Sequence, residues 1–274
     1  MRVFAIYDKD LERKEAIGYL YCYDSSNSFV IELCEDIGEW EAPLLFQGLV
    51  KKGIYTVPKD ISLLWVRERV IPSGRQNIGM ILKNAKLREY NERALLALSD
   101  GKCSQDQCMI TEISENEVPK NIAKRMDSNV SECFLSEDGQ IICLFRDYIT
   151  SKINLNVLAI EDKDIQQLLK RKELLESVRV GVGGYSIAFQ DYVEIPKEVL
   201  REKRWILPIG AMDFYRFVQN NIISSVNACE SMGCSKQNLS YYVKANRIEP
   251  VICGSKENFY TKGSIQKLMD NHSN

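Results

Sequence analysis

Lys236, Gln237, Asn238, Ser240 and Tyr241 crowd into six positions near the carboxyl end of the chain, with Ser235 just before them and Lys244, Arg247 and Lys256 after them. The chemistry of such a set is hydrogen bonding to a flat, anionic partner. Side-chain amides of Gln and Asn pair bidentately with adenine, and Lys reaches guanine or phosphate. On this reading Lys236, Gln237, Asn238 and Tyr241 enter a major groove with Ser240 on the same helix, while Ser235, Lys244, Arg247 and Lys256 steady the backbone. From residue 201 to the end, ten Lys and Arg stand against six Asp and Glu, although the whole chain carries 36 against 38 and a net charge of −2. A small local excess predicts a few phosphate contacts per copy, and hence two copies for useful binding.

Other chemistry finds little support. Gly181-Val182-Gly183-Gly184 lacks the G-x-x-x-x-G-K-[ST] continuation of a phosphate loop and reads as a turn between strands. The nine cysteines are scattered, odd in number and mostly set in apolar runs, which points to buried free thiols rather than disulfides. Cys103 and Cys108 have no histidine nearby, and the one histidine, His272, lies in the terminal tail, so neither a zinc site nor a Cys-His nucleophile is expected. Carboxylates such as Asp162 and Asp164, or Asp106 beside Cys108, are what 38 acidic residues produce by chance. The chain is read as having no catalytic residues, no metal and no cofactor.

The candidate base-reading residues need a helix that holds them outward. Ser225 is a plausible N-cap, Val226, Cys229 and Met232 recur at helical spacing, and Gly233 fits the left-handed turn that follows. Ser235 caps a second helix whose Leu239 and Val243 face the first. Val251 to Cys253 and Phe259-Tyr260 flank the Gly254-Ser255-Lys256-Glu257-Asn258 turn, a hairpin pattern, and Ser264 is placed to cap a closing helix. Ahead of these, residues 209–223 read as a connecting helix with an apolar side of Met212, Tyr215, Phe217, Val218 and Ile222, able to dock the module or to dimerise it.

These residues carry a resemblance. Ala228, Gly233, Cys234, Ser235, Asn246, Arg247, Ile248 and Tyr260 stand where the winged helix-turn-helix of the MerR and phage-excisionase group has its small helix residue, its "G-C-S" turn, its basic residue and its wing. The resemblance covers roughly the last fifth of the chain and implies DNA binding. One departure is Asn246, where that pattern has Gly; Asn is the next most tolerant residue of a left-handed backbone.

The remainder predicts α+β structure. Arg2 to Tyr7, Ile17 to Tyr23 and Phe29 to Cys34 read as strands, the last two joined through Asp24-Ser25-Ser26-Asn27, and Asn77 to Lys83 and Asn91 to Leu98 as helices. The motifs "WVRERVIP", "RQNI" and a closing "GKCSQD" resemble the N-terminal subdomain of HipA-type toxin kinases, where a glycine-containing strand closes the segment; the kinship implies a contact module, not phosphoryl transfer. Arg67, Arg69, Arg75, Lys83, Lys86, Arg88 and Arg93 make this stretch basic, read either as a second nucleic-acid surface or as the solvated face of helices. Farther on, "LSEDGQIICLF" and "VRVGVGGYSIAFQDYVEIPKEVL" resemble a small bacterial family of α+β domains of unknown function that occurs fused ahead of helix-turn-helix modules.

The resulting expectation is three units: 1–113 an α+β contact domain, 114–207 a second small α+β domain, and 208–274 a connecting helix with a winged helix-turn-helix. No apolar run reaches membrane length and no leader is evident, so a cytoplasmic bacterial protein is expected. The function implied is a DNA-binding transcriptional regulator or antitoxin-like autoregulator, with an adaptor between proteins as the alternative. The partners expected are double-stranded DNA, a protein held by the N-terminal units, and a second copy of the chain; no membrane is expected.

Overall fold

Apolar runs in β1 (Arg2–Asp8) and β2 (Gly18–Tyr23), and burial of every residue of β3 (Ser28–Leu33), its Glu32 included, place these strands inside a sheet covered on both faces. The computed structural model describes residues 1–23 and 26–270, apart from the side chains of 267 and 270, so Asp24, Ser25 and His272 of the sequence reading lie outside the described residues. With β4 (Thr56–Val57) and β5 (Cys108–Ile113) the first sheet runs β4-β3-β2-β1-β5, antiparallel throughout. Helices α1 (Leu44–Val50), α2 (Lys59–Arg67), α3 (Ile78–Asn84) and α4 (Glu92–Leu98) accompany it, with Trp65 of α2 stacked on Phe46 of α1. The expected closing strand begins only at Cys108; Gly101 sits in a left-handed turn at φ 69°, where a Cβ would come within 2.9 Å of Ile110.

The first core extends beyond residue 113 to Val118 and Ile122, so α5 (Lys120–Met126) packs with the N-terminal sheet and the seam between cores falls between Met126 and Val130. A second core gathers β6 (Val130–Leu135), β7 (Ile141–Phe145), β8 (Thr150–Ile153), β9 (Val178–Val180), β10 (Ser186–Phe189) and β11 (Val193–Pro196), with β12 (Arg204–Ile206) paired to β8 outside that core. They form two antiparallel sheets, β12-β8-β7-β6 and β11-β10-β9. Helices α6 (Leu155–Leu158), α7 (Lys163–Leu168), α8 (Lys172–Glu176) and α9 (Lys197–Glu202) complete it. Asp162 caps α7 by accepting from the amides of Asp164 and Ile165, which gives this acid a structural task.

The face of the first sheet that carries Tyr21, Tyr23 and Glu32 meets the second core. Arg125 approaches Glu32 at 3.4 Å, Lys197 donates to Asn129 and to the Arg125 carbonyl, and its ammonium lies 4.7 Å from the Tyr185 ring centroid. The Gly181–Gly184 turn belongs to this joint. Gly183 has φ 62° and a Cβ there would fall 2.3 Å from the Tyr23 hydroxyl; its carbonyl accepts from Asn129 and Arg146.

The last elements are α10 (Ala211–Asn221), β13 (Ile222–Ser224), α11 (Ser225–Met232), α12 (Lys236–Lys244), β14 (Ile252–Cys253), β15 (Asn258–Thr261) and α13 (Lys262–Asp270). The strand β13 occupies residues assigned above to the connecting helix, because Ile222–Ser224 pairs with β15 in a sheet of order β13-β15-β14. A third core of Ala228, Cys229, Leu239, Ile248, Tyr260, Ile265 and Leu268 holds the three helices to this sheet. The chain is thus mixed α+β. No helix among the described residues is long and apolar enough to cross a membrane.

Candidate nucleic-acid interface

Two helices meet at Gly233, whose φ of 60° and ψ of 32° end α11 in a left-handed turn. The cap of α11 is Ser224 rather than Ser225: once β13 has ended, the Ser224 hydroxyl accepts from the Asn227 amide at 3.3 Å. Ser225 has another partner. Its hydroxyl donates to the Asn258 carbonyl at 2.9 Å and accepts from the Asn258 amide at 3.2 Å, which ties α11 to the hairpin. Thr261, not Ser264, caps α13, accepting from the Ser264 amide at 3.0 Å. Asn246 adopts φ 53°, the left-handed backbone that its glycine counterpart would supply.

In α12, Leu239 is the buried residue and Val243 is partly covered. A rotation of roughly 100° per residue then points Gln237, Tyr241 and Lys244 most directly away from the core. Lys236 and Ser240 turn toward the hairpin, and Asn238 toward the opposite flank. All nine candidates, Ser235, Lys236, Gln237, Asn238, Ser240, Tyr241, Lys244, Arg247 and Lys256, are exposed.

Between α12 and the β14–β15 hairpin lies an open cleft of about 560 Å³, lined by Lys236, Ser240 and Lys244 on one side and Ser255, Lys256 and Glu257 on the other. A shallow hollow of about 390 Å³ on the outer side of the helix is bounded by Lys236, Gln237, Ser240, Tyr241 and Lys244. Six of the candidates therefore converge on one surface. Ser235, Asn238 and Arg247 border neither recess; Ser235 spends its hydroxyl on the Asn238 amide at 3.3 Å as the cap of α12. The acid in the cleft, Glu257, accepts from the Val226 amide at 3.4 Å, so part of its charge is answered at the start of α11.

Sequence reasoning missed Ser225, Val226, Ser255, Glu257 and Asn258 as lining residues. The Gly-led turn was the signal that placed their neighbours. Gly254 is needed there, since its amide donates to the Glu257 carbonyl and a Cβ would approach that oxygen to 2.3 Å. Burial, followed by neighbouring Cys234, pushes the Cys229 thiol up, which keeps it a neutral core residue.

The basic stretch near Trp65 divides differently. Arg69 is buried, its guanidinium 3.7 Å from the Trp65 ring centroid, donating to the Trp65 carbonyl at 3.0 Å and paired with Asp106. It is an internal strut and cannot contact a phosphate. No family model, curated protein or solved structure matches this chain.

Proposed function

We propose that the chain binds double-stranded DNA through a winged helix-turn-helix spanning 208–274, with α12 as the recognition helix and the β14–β15 hairpin as the wing, and that it acts as a bacterial transcriptional regulator or antitoxin-like autoregulator. The observation that supports this most is the cleft in which Lys236 and Lys244 face Lys256 across about 560 Å³ while Gln237 and Tyr241 point outward beside it. Cations at both rims suit the phosphate backbone, and the amide of Gln237, at the front of α12 beside the cleft, suits a base edge. The two α+β units would hold a protein partner or sense a signal. The reading assigns the chain no catalytic step.

An adaptor reading is favoured by a different observation, the exposed Tyr241, Val251 and Ile252 on the same module, which a protein partner would cover. A gel-shift titration against random duplex pools at several salt concentrations separates the two. Enrichment of particular sequences with a steep salt response supports the regulator; a folded sample that retards no duplex at low salt overturns it.

A further inference from the structure

Gly233 does more than end α11. Its left-handed backbone lets the Cys234 amide donate to the Cys229 carbonyl at 3.0 Å and the Gly233 amide to the Glu230 carbonyl at 3.2 Å. A helix that ends in these two bonds brings the side chains at the two ends of the motif into contact, and both end positions here are cysteine. The thiols are free, and each lies in the field of the other. Cys229 is buried in the third core, whereas Cys234 packs on that core and stays partly open to solvent.

The backbone bond also sets their reach. With 3.0 Å between amide and carbonyl, standard bond lengths hold the two Cα atoms within about 6.9 Å, and the bend at each end of the bond brings them into the about 4.4–6.8 Å that a disulfide spans. Cys133 and Cys143 also stand opposite each other, in β6 and β7, but they belong to the second core and border neither recess of the interface. Cys234 is singled out by its place next to Ser235, the cap of α12.

We propose that Cys229 and Cys234 are an oxidisable pair, closed to an intramolecular disulfide by hydrogen peroxide and reopened by a dithiol, and that closure shifts the start of α12 and weakens duplex binding. The accessible Cys234 reacts first. Its sulfur bonds to one peroxide oxygen as the O–O bond breaks, the other oxygen leaves with the thiol proton as water, and a sulfenic acid remains. The Cys229 sulfur then attacks the Cys234 sulfur, the S–S bond forming as the S–O bond breaks, and the departing hydroxide takes the Cys229 proton to become a second water. Two thiols are oxidised and one peroxide is reduced.

Closure draws the sulfurs from nonbonded contact at about 4 Å to about 2.05 Å. Cys229 is held by Ala228, Leu239 and the rest of the third core, so Cys234 gives way, and with it Ser235, whose hydroxyl accepts from the Asn238 amide at 3.3 Å. Lys236 and Gln237 follow directly in the chain and border the outer hollow of α12. A shift on the order of 1 Å there takes their donors out of hydrogen-bond range of a base edge or phosphate. The effect on DNA rests on the proposed DNA reading; the bond itself does not.

The test treats the full chain with hydrogen peroxide, caps the remaining thiols with iodoacetamide and maps the peptides by mass spectrometry, with and without dithiothreitol. The expected product is a bridge between Cys229 and Cys234 within one chain. Retardation of a duplex selected from the random pool is expected to weaken at least about tenfold on oxidation and to recover with dithiothreitol. Cys234→Ser should match the reduced wild type in affinity and keep that affinity in peroxide. Cys229→Ala, which leaves Cys234 without a partner, should behave likewise and serves if Cys234→Ser fails to fold. A map in which both thiols still carry the cap, or in which Cys234 is bridged to Cys253 or to another chain, overturns the inference, as does a bridge that leaves the affinity unchanged. A bridge that forms in a protein whose reduced state retards no duplex upholds the modification site and overturns the DNA reading.

Discussion

Replacing Lys244 by alanine is the sharpest probe of the proposed interface, because this side chain borders both the cleft and the outer hollow of α12 and has no part in the third core. Lys236, Lys244, Arg247 and Lys256 offer four cations per copy, eight in a pair. At about 0.9 counterions released per phosphate, the slope of log K against log salt is expected near −7 for the wild type and near −5.5 when both copies lose Lys244. At about 0.15 M salt each lost contact removes about 0.7 of a log unit, so the pair loses about 1.5 log units, or about 2 kcal/mol, for every duplex alike. Gln237→Ala should act in the opposite manner, relaxing preference at one base pair by about 1–3 kcal/mol with the salt slope unchanged. Fluorescence anisotropy with a selected and a scrambled duplex, at salt from about 50 to about 300 mM, reads both quantities. The reasoning is refuted if Lys244→Ala leaves the slope at its wild-type value, or if it weakens one duplex and spares the other.

Two further predictions concern the joint between the first and second cores. Gly183→Ala forces an L-residue to φ 62° and a methyl group against the Tyr23 hydroxyl, and is expected to cost more than about 2 kcal/mol in urea denaturation; a loss below about 0.5 kcal/mol would show that the turn relaxes freely. Burial raises the Glu32 carboxyl above its ordinary 4.5, against the opposing pull of Arg125 and Lys197, so the folded state holds that proton more tightly than the unfolded one. Its contribution to stability is present below the unfolded value and is lost as pH rises through the raised one, so Glu32→Gln should flatten the rise of melting temperature on acidification from about pH 8 to about pH 5, and an unchanged profile would contradict this.

Elements whose signal is local were legible in the sequence. The β2–β3 pairing follows from two apolar runs and the turn between them, and α4 follows from Asn91, whose side chain accepts from the Ala94 amide. Elements defined by distant contacts were not. The strands β4 and β12 have two and three residues and exist through pairing with β3 and β8, so no periodicity announces them. Charge was the least legible quantity. Arg69, read among the cations of an exposed or nucleic-acid-facing stretch, is buried, and so is Lys197, each against an aromatic ring and each with oxygen acceptors supplied from remote parts of the chain.

The candidate interface shows why outwardness and function must be argued separately. Leu239 alone is buried in α12, and this single anchor sets the helix rotation that turns Gln237, Tyr241 and Lys244 to the front and leaves Asn238 on a flank. Asn238, exposed like the rest, therefore has a weaker title to a base contact than Gln237, although composition made the two equal. The facing wall is placed by bonds within the module: the paired hydrogen bonds of Ser225 with Asn258 and the contact of Glu257 with Val226 fix the hairpin to α11, and α11 fixes α12 through Ala228 and Cys229. The distance between Lys256 and the lysines of α12 is thus set by these bonds together with the third core, and a substitution at Ser225 should change duplex binding by shifting the hairpin as well as by altering the cleft wall.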